Sequence, residues 1–143
     1  MKNMERWLGN GGMPIIDIVG ASFTDYGLDD GDLAFCSGLW VPTEMACNPH
    51  GTAQAGIHSV ILDAAMNFAI NAGLEGKDRT KATIDMNVNL IRAAQLKAEH
   101  IFIGKVIRLT KQVGFGYSEI LNLEKEVVSN ATGSFLLYRE SAS

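Results

Sequence analysis

Between Met45 and Leu74 a single residue carries a full charge at neutral pH, Asp63. Ile61, Leu62, Ala64 and Ala65 flank it. An unpaired carboxylate in such surroundings is costly, and burial pushes it toward its neutral form. Two roles fit. Asp63 is either a base or nucleophile in a cleft, or a carboxylate that pairs with a buried partner and only holds the fold. Ser59, Asp63, Asn67 and Asn71 recur every four residues. On a helix they form one narrow polar ridge, with Gln54 and His58 on another face. A lone ridge in an apolar jacket suggests a groove along it. Just upstream, Asn48, Gly51, Thr52 and Gly56 place small or turn-forming residues where a loop would enter that helix. Unpaired N–H groups at a helix start could polarise a carbonyl as an oxyanion hole. Equally, Thr52 or Gln54 could simply begin the helix.

The elements that must position these groups can be read from periodicity. Gln54–Ala72 reads as one long helix closed by Gly73. Ala82, Ile84, Met86, Val88 and Leu90 alternate with Lys81, Thr83, Asp85, Asn87 and Asn89, a period of two that predicts a strand with one buried face. Leu33–Val41, Ile101–Thr110, Phe115–Leu123 and Val127–Tyr138 are further strands. The stretches 92–100, 111–114 and 124–126 are short links, which favour antiparallel neighbours. Residues 1–30 form a preamble: a short helix at Met4–Leu8, a breaker cluster at Gly9–Pro14 and an apolar segment, Ile15–Phe23, of undecided type. Asp29-Asp30-Gly31-Asp32 lacks the alternating acids of a calcium loop and reads as a solvated turn. The order predicts an α+β fold: a long central helix wrapped by a curved antiparallel sheet of about five strands. The helix is apolar nearly all round and must be covered on most sides. Open sheet edges point to a homodimer or homotetramer.

Composition narrows the function classes. The 143 residues fit a single domain, 1–143, with its core at 33–138. Apolar residues make up 47 % and charged residues 20 %, an ordinary globular mix. A net charge of -4 argues against a sequence-independent nucleic-acid binder, which needs a basic stripe. Cys36 and Cys47 form no CxxC pair, and His50, His58 and His100 show no metal-ligand spacing, so no metal and two free thiols are expected. The first dozen residues lack a signal-peptide pattern. Ala55–Leu74 is long and apolar, but His58, Ser59, Asp63, Asn67 and Asn71 would be costly in lipid. The expectation is no membrane span and a cytoplasmic location.

At the helix start a family resemblance emerges. Asn48-Pro-His-Gly-Thr-Ala-Gln54-Ala55-Gly56 followed by Asp63 resembles the signature of PaaI-like hotdog-fold thioesterases: Asn, six residues to His-Gly-Gly, then an acid seven residues on. Thr83-Ile-Asp85-Met86-Asn87 resembles that family's Ser/Thr-x-Asp-Met strand. Gly104-Lys-Val and Ala131-Thr-Gly-Ser-Phe135 resemble its last strands. The similarity covers residues 30 to 138. It implies a hotdog fold and hydrolysis of an acyl-CoA thioester, aryl or short to medium in chain, without a cofactor beyond the coenzyme A of the substrate. It implies Asp63 as nucleophile or general base, Thr83 as the hydroxyl that orients water or acid, the Ala55 N–H as the donor to the thioester carbonyl, and Asn48 as a placing side chain. It also implies a groove at a dimer interface. Gln54-Ala55-Gly56 replaces the family's His-Gly-Gly, which removes an imidazole but keeps a hydrogen-bonding side chain and an N–H.

Coenzyme A is anionic and needs cations. Arg92, Lys105, Arg108 and Lys111 are candidates, with Gly114-Phe-Gly116 allowing a ligand close to the backbone; a solvated strand face is the plain alternative for each cation. Met66, Phe68 and Phe115 could line an acyl pocket or pack in the core. Two rival functions remain open. A hotdog hydratase or dehydratase would use His50 and Asp63, thirteen residues apart. A non-catalytic acyl-CoA-binding protein would keep the fold alone. His50 otherwise reads as a loop residue, His58 as structural and His100 as a surface residue.

Overall fold

The computed structural model describes residues 1–140. Its first 20 residues hold a single 3-10 turn at Glu5–Trp7 and a short helix, α1, at Pro14–Val19. Gly20 caps α1 with φ +94, a left-handed conformation that needs glycine, and a Cβ there would run into the Val41 carbonyl. Strands β1 (Ala21–Leu28) and β2 (Ala34–Trp40) follow, then the long helix α2 (Ala55–Gly73). Four strands complete the chain: β3 (Arg79–Leu90), β4 (His100–Leu109), β5 (Val113–Asn122) and β6 (Val127–Tyr138). The six strands form one antiparallel sheet in the order β1-β2-β4-β5-β6-β3, and α2 packs against it in the hotdog arrangement.

The expected five strands are six. The undecided Ile15–Phe23 segment splits at Gly20 into helix and strand, and β1 pairs with β2 from Ala21↔Trp40 to Leu28↔Ala34. Half of its residues are polar or glycine because it is an edge strand, with a bulge between Phe23 and Asp25. The preamble is therefore part of the sheet. Gly73 is also not the cap: it is the last helical residue, and Leu74 ends the helix in an extended conformation.

The sheet can wrap the helix because its inner face is built from small residues. In β2, β4 and β5 buried and less buried positions alternate. Gly104, Gly114, Gly116 and Cys36 all face α2, whose own inner positions include Ala64, Ala65, Ala69 and Ala72. At Gly104 a Cβ would strike the Ala65 carbonyl oxygen. Two side chains from the sheet bond to the helix backbone in the dry interior. Ser118 Oγ donates to the Leu62 carbonyl at 2.9 Å, and Cys36 Sγ to the Ala65 carbonyl at 3.2 Å. Larger residues fill the ends: Phe23 stacks on Phe68 at 4.5 Å, and Trp40 is fully buried.

The strand predicted to have one buried face, β3, differs most from expectation. It is an edge strand, bonded on one side only to β6, and Met86 and Val88 are merely half-buried. Ile84 is 54 % and Leu90 51 % exposed. Bulges between Thr80 and Ala82 and between Thr83 and Asp85 interrupt its alternation.

Candidate active site

The polar ridge of α2 faces β3. Asn71 clamps the two together: its Nδ2 donates to Thr80 Oγ1 at 2.9 Å, and its Oδ1 accepts from the Thr80 N–H at 3.0 Å. One turn back, Asn67 Nδ2 donates to Asp63 Oδ1 at 3.2 Å and to the Asp63 carbonyl at 3.1 Å. Thr83 Oγ1 donates to the same Asp63 Oδ1, also at 3.2 Å. Thus helix and strand both hold one carboxylate oxygen. No protein group among the described residues bonds to Oδ2. Every buried side-chain nitrogen or oxygen there has a partner, so the unpartnered Oδ2 reaches solvent. Asp63 enters no salt link among the described residues. Burial raises its pKa above the usual carboxylate value, and the Thr83 hydrogen bond opposes that rise. A carboxylate with one oxygen fixed, the other open and its basicity raised is suited to accept a proton or attack a carbonyl.

A cavity of about 540 Å³ lies along the same helix toward its C-terminus, lined from α2 by Ala64, Asn67, Phe68 and Asn71. Asn67, Asn71 and Thr80 form its polar wall, and Met4, Trp7 and Phe68 its apolar one. Asp63 does not itself line it; Ala64 and Asn67 do. The N-terminal segment closes the far side, held by the Lys2 N–H on the Ala72 carbonyl at 3.0 Å and by the buried Met4.

The start of α2 is a separate feature. Gln54 is its N-cap residue, makes no side-chain cap bond and is exposed, as are Ala55 and Gly56. The space where a Gly56 Cβ would stand is empty to 4 Å. Asn48 is spent on its own loop: Oδ1 accepts the N–H groups of His50 at 3.0 Å and Thr52 at 3.3 Å, and Nδ2 donates to Thr52 Oγ1 at 3.1 Å. It shapes the turn that leads into the helix. Ala55 and Asp63 are eight residues apart on one helix, roughly 12 Å along its axis. One chain therefore cannot offer both the helix-start amides and Asp63 to the same carbonyl.

The remaining predicted residues lie elsewhere. Arg92 pairs with Glu126 at 3.2 Å and bonds the Val127 carbonyl. Lys111 is exposed in the β4–β5 turn, and Gly114 packs against Ile70 beneath the sheet. None of the three lines the cavity. The cations that do are Lys2, Arg6, Lys77 and Arg79; they come from the chain start and the α2–β3 link, where no local motif marks them. Of the three acyl-pocket candidates, Phe68 lines the cavity, Met66 is fully buried in the core and Phe115 is 38 % exposed on the sheet.

The histidines separate clearly. His50 is exposed in the loop. His58 is buried, with Nδ1 2.8 Å from Ser129 Oγ, and burial, aided by nearby His100, lowers its pKa to about 4. His100, expected at the surface, is 3 % exposed, because β4 turns it inward beside Trp40. Cys36 and Cys47 are both free, and burial pushes the Cys36 thiol up to about 12. Among the described residues no group of three His, Cys, Asp or Glu gathers as metal ligands, and no helix is long and apolar enough to cross a membrane.

No protein-family model and no curated protein matches the chain. Solved structures do. A Haemophilus influenzae thioesterase superposes with a TM-score of 0.83 at 13 % identity, over 100 % of this chain and 96 % of its own. A Pseudomonas aeruginosa thioesterase, solved as a point mutant, gives 0.78 at 14 % identity over 96 % and 94 %. The PaaI protein of the Escherichia coli phenylacetic acid degradation operon gives 0.71 at 18 % over 91 % and 86 %. At such identities the likeness establishes a shared fold, that of thioesterase-superfamily proteins.

Proposed function

We propose that the chain is a thioester hydrolase acting on acyl-CoA, with Asp63 as nucleophile or general base. The observation that carries this reading is the asymmetric hold on the Asp63 carboxylate: Oδ1 is fixed by Thr83 and by Asn67, which also lines the cavity, and Oδ2 is open to solvent.

As general base, Oδ2 takes a proton from a water whose oxygen attacks the thioester carbonyl carbon. As nucleophile, Oδ2 attacks that carbon itself, and water later cleaves the acyl anhydride. In both routes the carbon–sulfur bond breaks and the thiolate of coenzyme A leaves and is protonated. The negative charge developing on the carbonyl oxygen needs N–H donors that the same chain holds too far away. A second copy can supply them from its own exposed Ala55–Gly56 helix start. The open β3 edge favours such pairing: its free backbone groups and exposed Ile84 and Leu90 would be covered by extending the sheet across a two-fold axis. The two free thiols are in keeping with a reducing, cytoplasmic setting.

Hydrolysis of a panel of aryl and aliphatic acyl-CoA esters by purified protein tests the proposal, alongside light scattering for the oligomer. Asp63→Ala should lower kcat by about 10²-fold or more. Full activity in that variant, or no turnover of any ester at high protein concentration, would overturn it. His50→Ala should leave hydrolysis intact; hydration of an enoyl-CoA by the wild type that His50→Ala abolishes would select the hydratase reading instead.

A further inference from the structure

The cavity along α2 has an electrostatic character opposite to that of the chain. The protein carries a net charge of -4. Yet Lys2, Arg6, Lys77 and Arg79 line the cavity, and no Asp or Glu does. The acids nearest in sequence have partners of their own: Glu5 accepts from the Tyr26 hydroxyl at 3.1 Å, while Glu75 and Asp78 also attract the Lys2 ammonium, whose Nζ donates to the Asp78 carbonyl. Glu75 binds the chain's N-terminal ammonium at 2.6 Å, and Asp78 takes Arg139 at 3.2 Å and the Glu140 N–H at 2.9 Å. Lys77 has only a long contact of 3.9 Å to Glu140, between two exposed side chains, a geometry worth little. Arg6 lies over the Trp7 ring at 5.2 Å and Arg79 over Tyr138 at 4.2 Å. Among the described residues neither guanidinium has a carboxylate partner. Arg79 Nη1 also donates to the Lys77 carbonyl at 3.2 Å; stacking on an aromatic face holds each fork in place and leaves its remaining N–H groups for a planar anion.

The opposite wall is hydrocarbon, from Met4, Trp7 and Phe68. The volume of about 540 Å³ falls within the usual range for small-molecule sites. The two features together describe an amphipathic guest with an apolar body and an anionic end. The cavity starts at Asn67, which bonds the Asp63 carboxylate, and continues past Asn71. From Asp63 to Asn71 is roughly 12 Å along the helix, a reach suited to a medium-length chain.

We propose that this cavity receives the acyl part of the substrate and that its preferred acyl groups end in a carboxylate, bound by Arg6 and Arg79. The proposal rests on the thioester-hydrolase reading for the orientation of the chain, but its binding chemistry can be measured separately. Octanoyl-CoA and suberoyl-CoA differ only in the distal carboxylate and serve as the probes. In wild type, kcat/KM for suberoyl-CoA should exceed that for octanoyl-CoA by about tenfold or more, the scale of one charge-assisted hydrogen bond. Arg79→Gln and Arg6→Gln, both at exposed positions, should each bring the ratio toward one.

Calorimetric binding of the same two esters to the Asp63→Asn variant gives a readout without turnover. A preference for suberoyl-CoA that Arg79→Gln removes supports the proposal even if no hydrolysis is found, in which case the hydrolase reading alone falls. Turnover with no preference between the two esters refutes the proposal and leaves the hydrolase reading intact. If Arg79→Gln weakens free coenzyme A as much as suberoyl-CoA, the cations serve the phosphates of coenzyme A and the proposal is overturned.

Discussion

Replacing Asp63 with asparagine should cripple the site and stabilise the protein, and the structure shows why both follow. Thr83 and Asn67 donate to the same oxygen, Oδ1, each at 3.2 Å. An amide can place its carbonyl oxygen there and keep both bonds. Its NH₂ then falls where Oδ2 stands, which has no protein partner and reaches solvent, so no bond is lost. Asp and Asn have similar helix propensities, so the backbone is indifferent to the exchange. What disappears is a negative charge whose burial has raised the carboxyl pKa. Because the site is only half-buried, the gain is on the order of 0.5–1 kcal/mol, the lower part of the range for stabilising single changes. For a chain of this size that is about 2–4 °C in Tm. The sign can be checked with pH. A carboxyl whose folded pKa lies above its unfolded value disfavours folding when ionised, and this penalty fades as pH falls through the folded pKa. The advantage of Asp63→Asn should therefore be present near neutral pH and shrink in acid, as wild type becomes protonated and neutral like the amide. Scanning calorimetry of both proteins at two pH values reads this directly. At the same time kcat should drop by about 10²–10⁴, the contribution of a positioned base. A variant that is less stable than wild type at neutral pH, or a stability difference that ignores pH, would mean that Asp63 is a structural anchor and that the reasoning is wrong.

Three further outcomes are expected. His58 is held neutral, with a folded pKa of about 4 against an ordinary 6.5; the unfolded chain binds the extra proton between these values, so stability should be full above pH 6.5 and fall by about 2–3 kcal/mol toward pH 4, with His58→Gln flattening the urea-midpoint profile. Thr83→Val removes the hydrogen bond that lowers the Asp63 pKa, so the acid limb of the kcat/KM profile should move to higher pH while kcat falls about tenfold, and an unmoved limb would remove Thr83 from the site. Gly104→Ala drives a methyl into the Ala65 carbonyl and should destabilise by about 1–3 kcal/mol in denaturant melts, with activity per folded molecule reduced because α2 must shift.

Much of this architecture was legible in the residues. Periodicity located α2 and the strands from β2 to β6 to within a few residues, because β2, β4 and β5 bury one face and alternate accordingly, and β3 keeps the alternation of residue types although as an edge it buries neither face. The first strand escaped because an edge with a bulge carries Asp25 and Gly27 where the alternation begun by Ala21 and Phe23 would demand apolar side chains. The inward turn of His100 escaped because a histidine at a strand start carries no periodic signal of its own. Asp63 stood out as a charge without neighbours, and its partner Thr83 emerged through the family resemblance. The four cavity cations could not be found, since Lys2 and Arg6 meet Lys77 and Arg79 only after the chain start has folded across the end of α2. Local spacing says nothing of such a meeting.

The position of β3 has a consequence for how the protein is made. Thr83 is paired with Phe135, and the whole of β3 is fastened to β6, a strand synthesised well after it. While the ribosome is still translating residues 91 to 126, the strand that must steady Asp63 has no neighbour to lie against, although the helix bearing the carboxylate is already finished. Contacts so distant in sequence form late. A premature stop codon ahead of β6 should thus disarm the carboxylate without touching it, and the nascent chain would expose Ile84 and Leu90 on an unguarded ribbon for as long as the delay lasts.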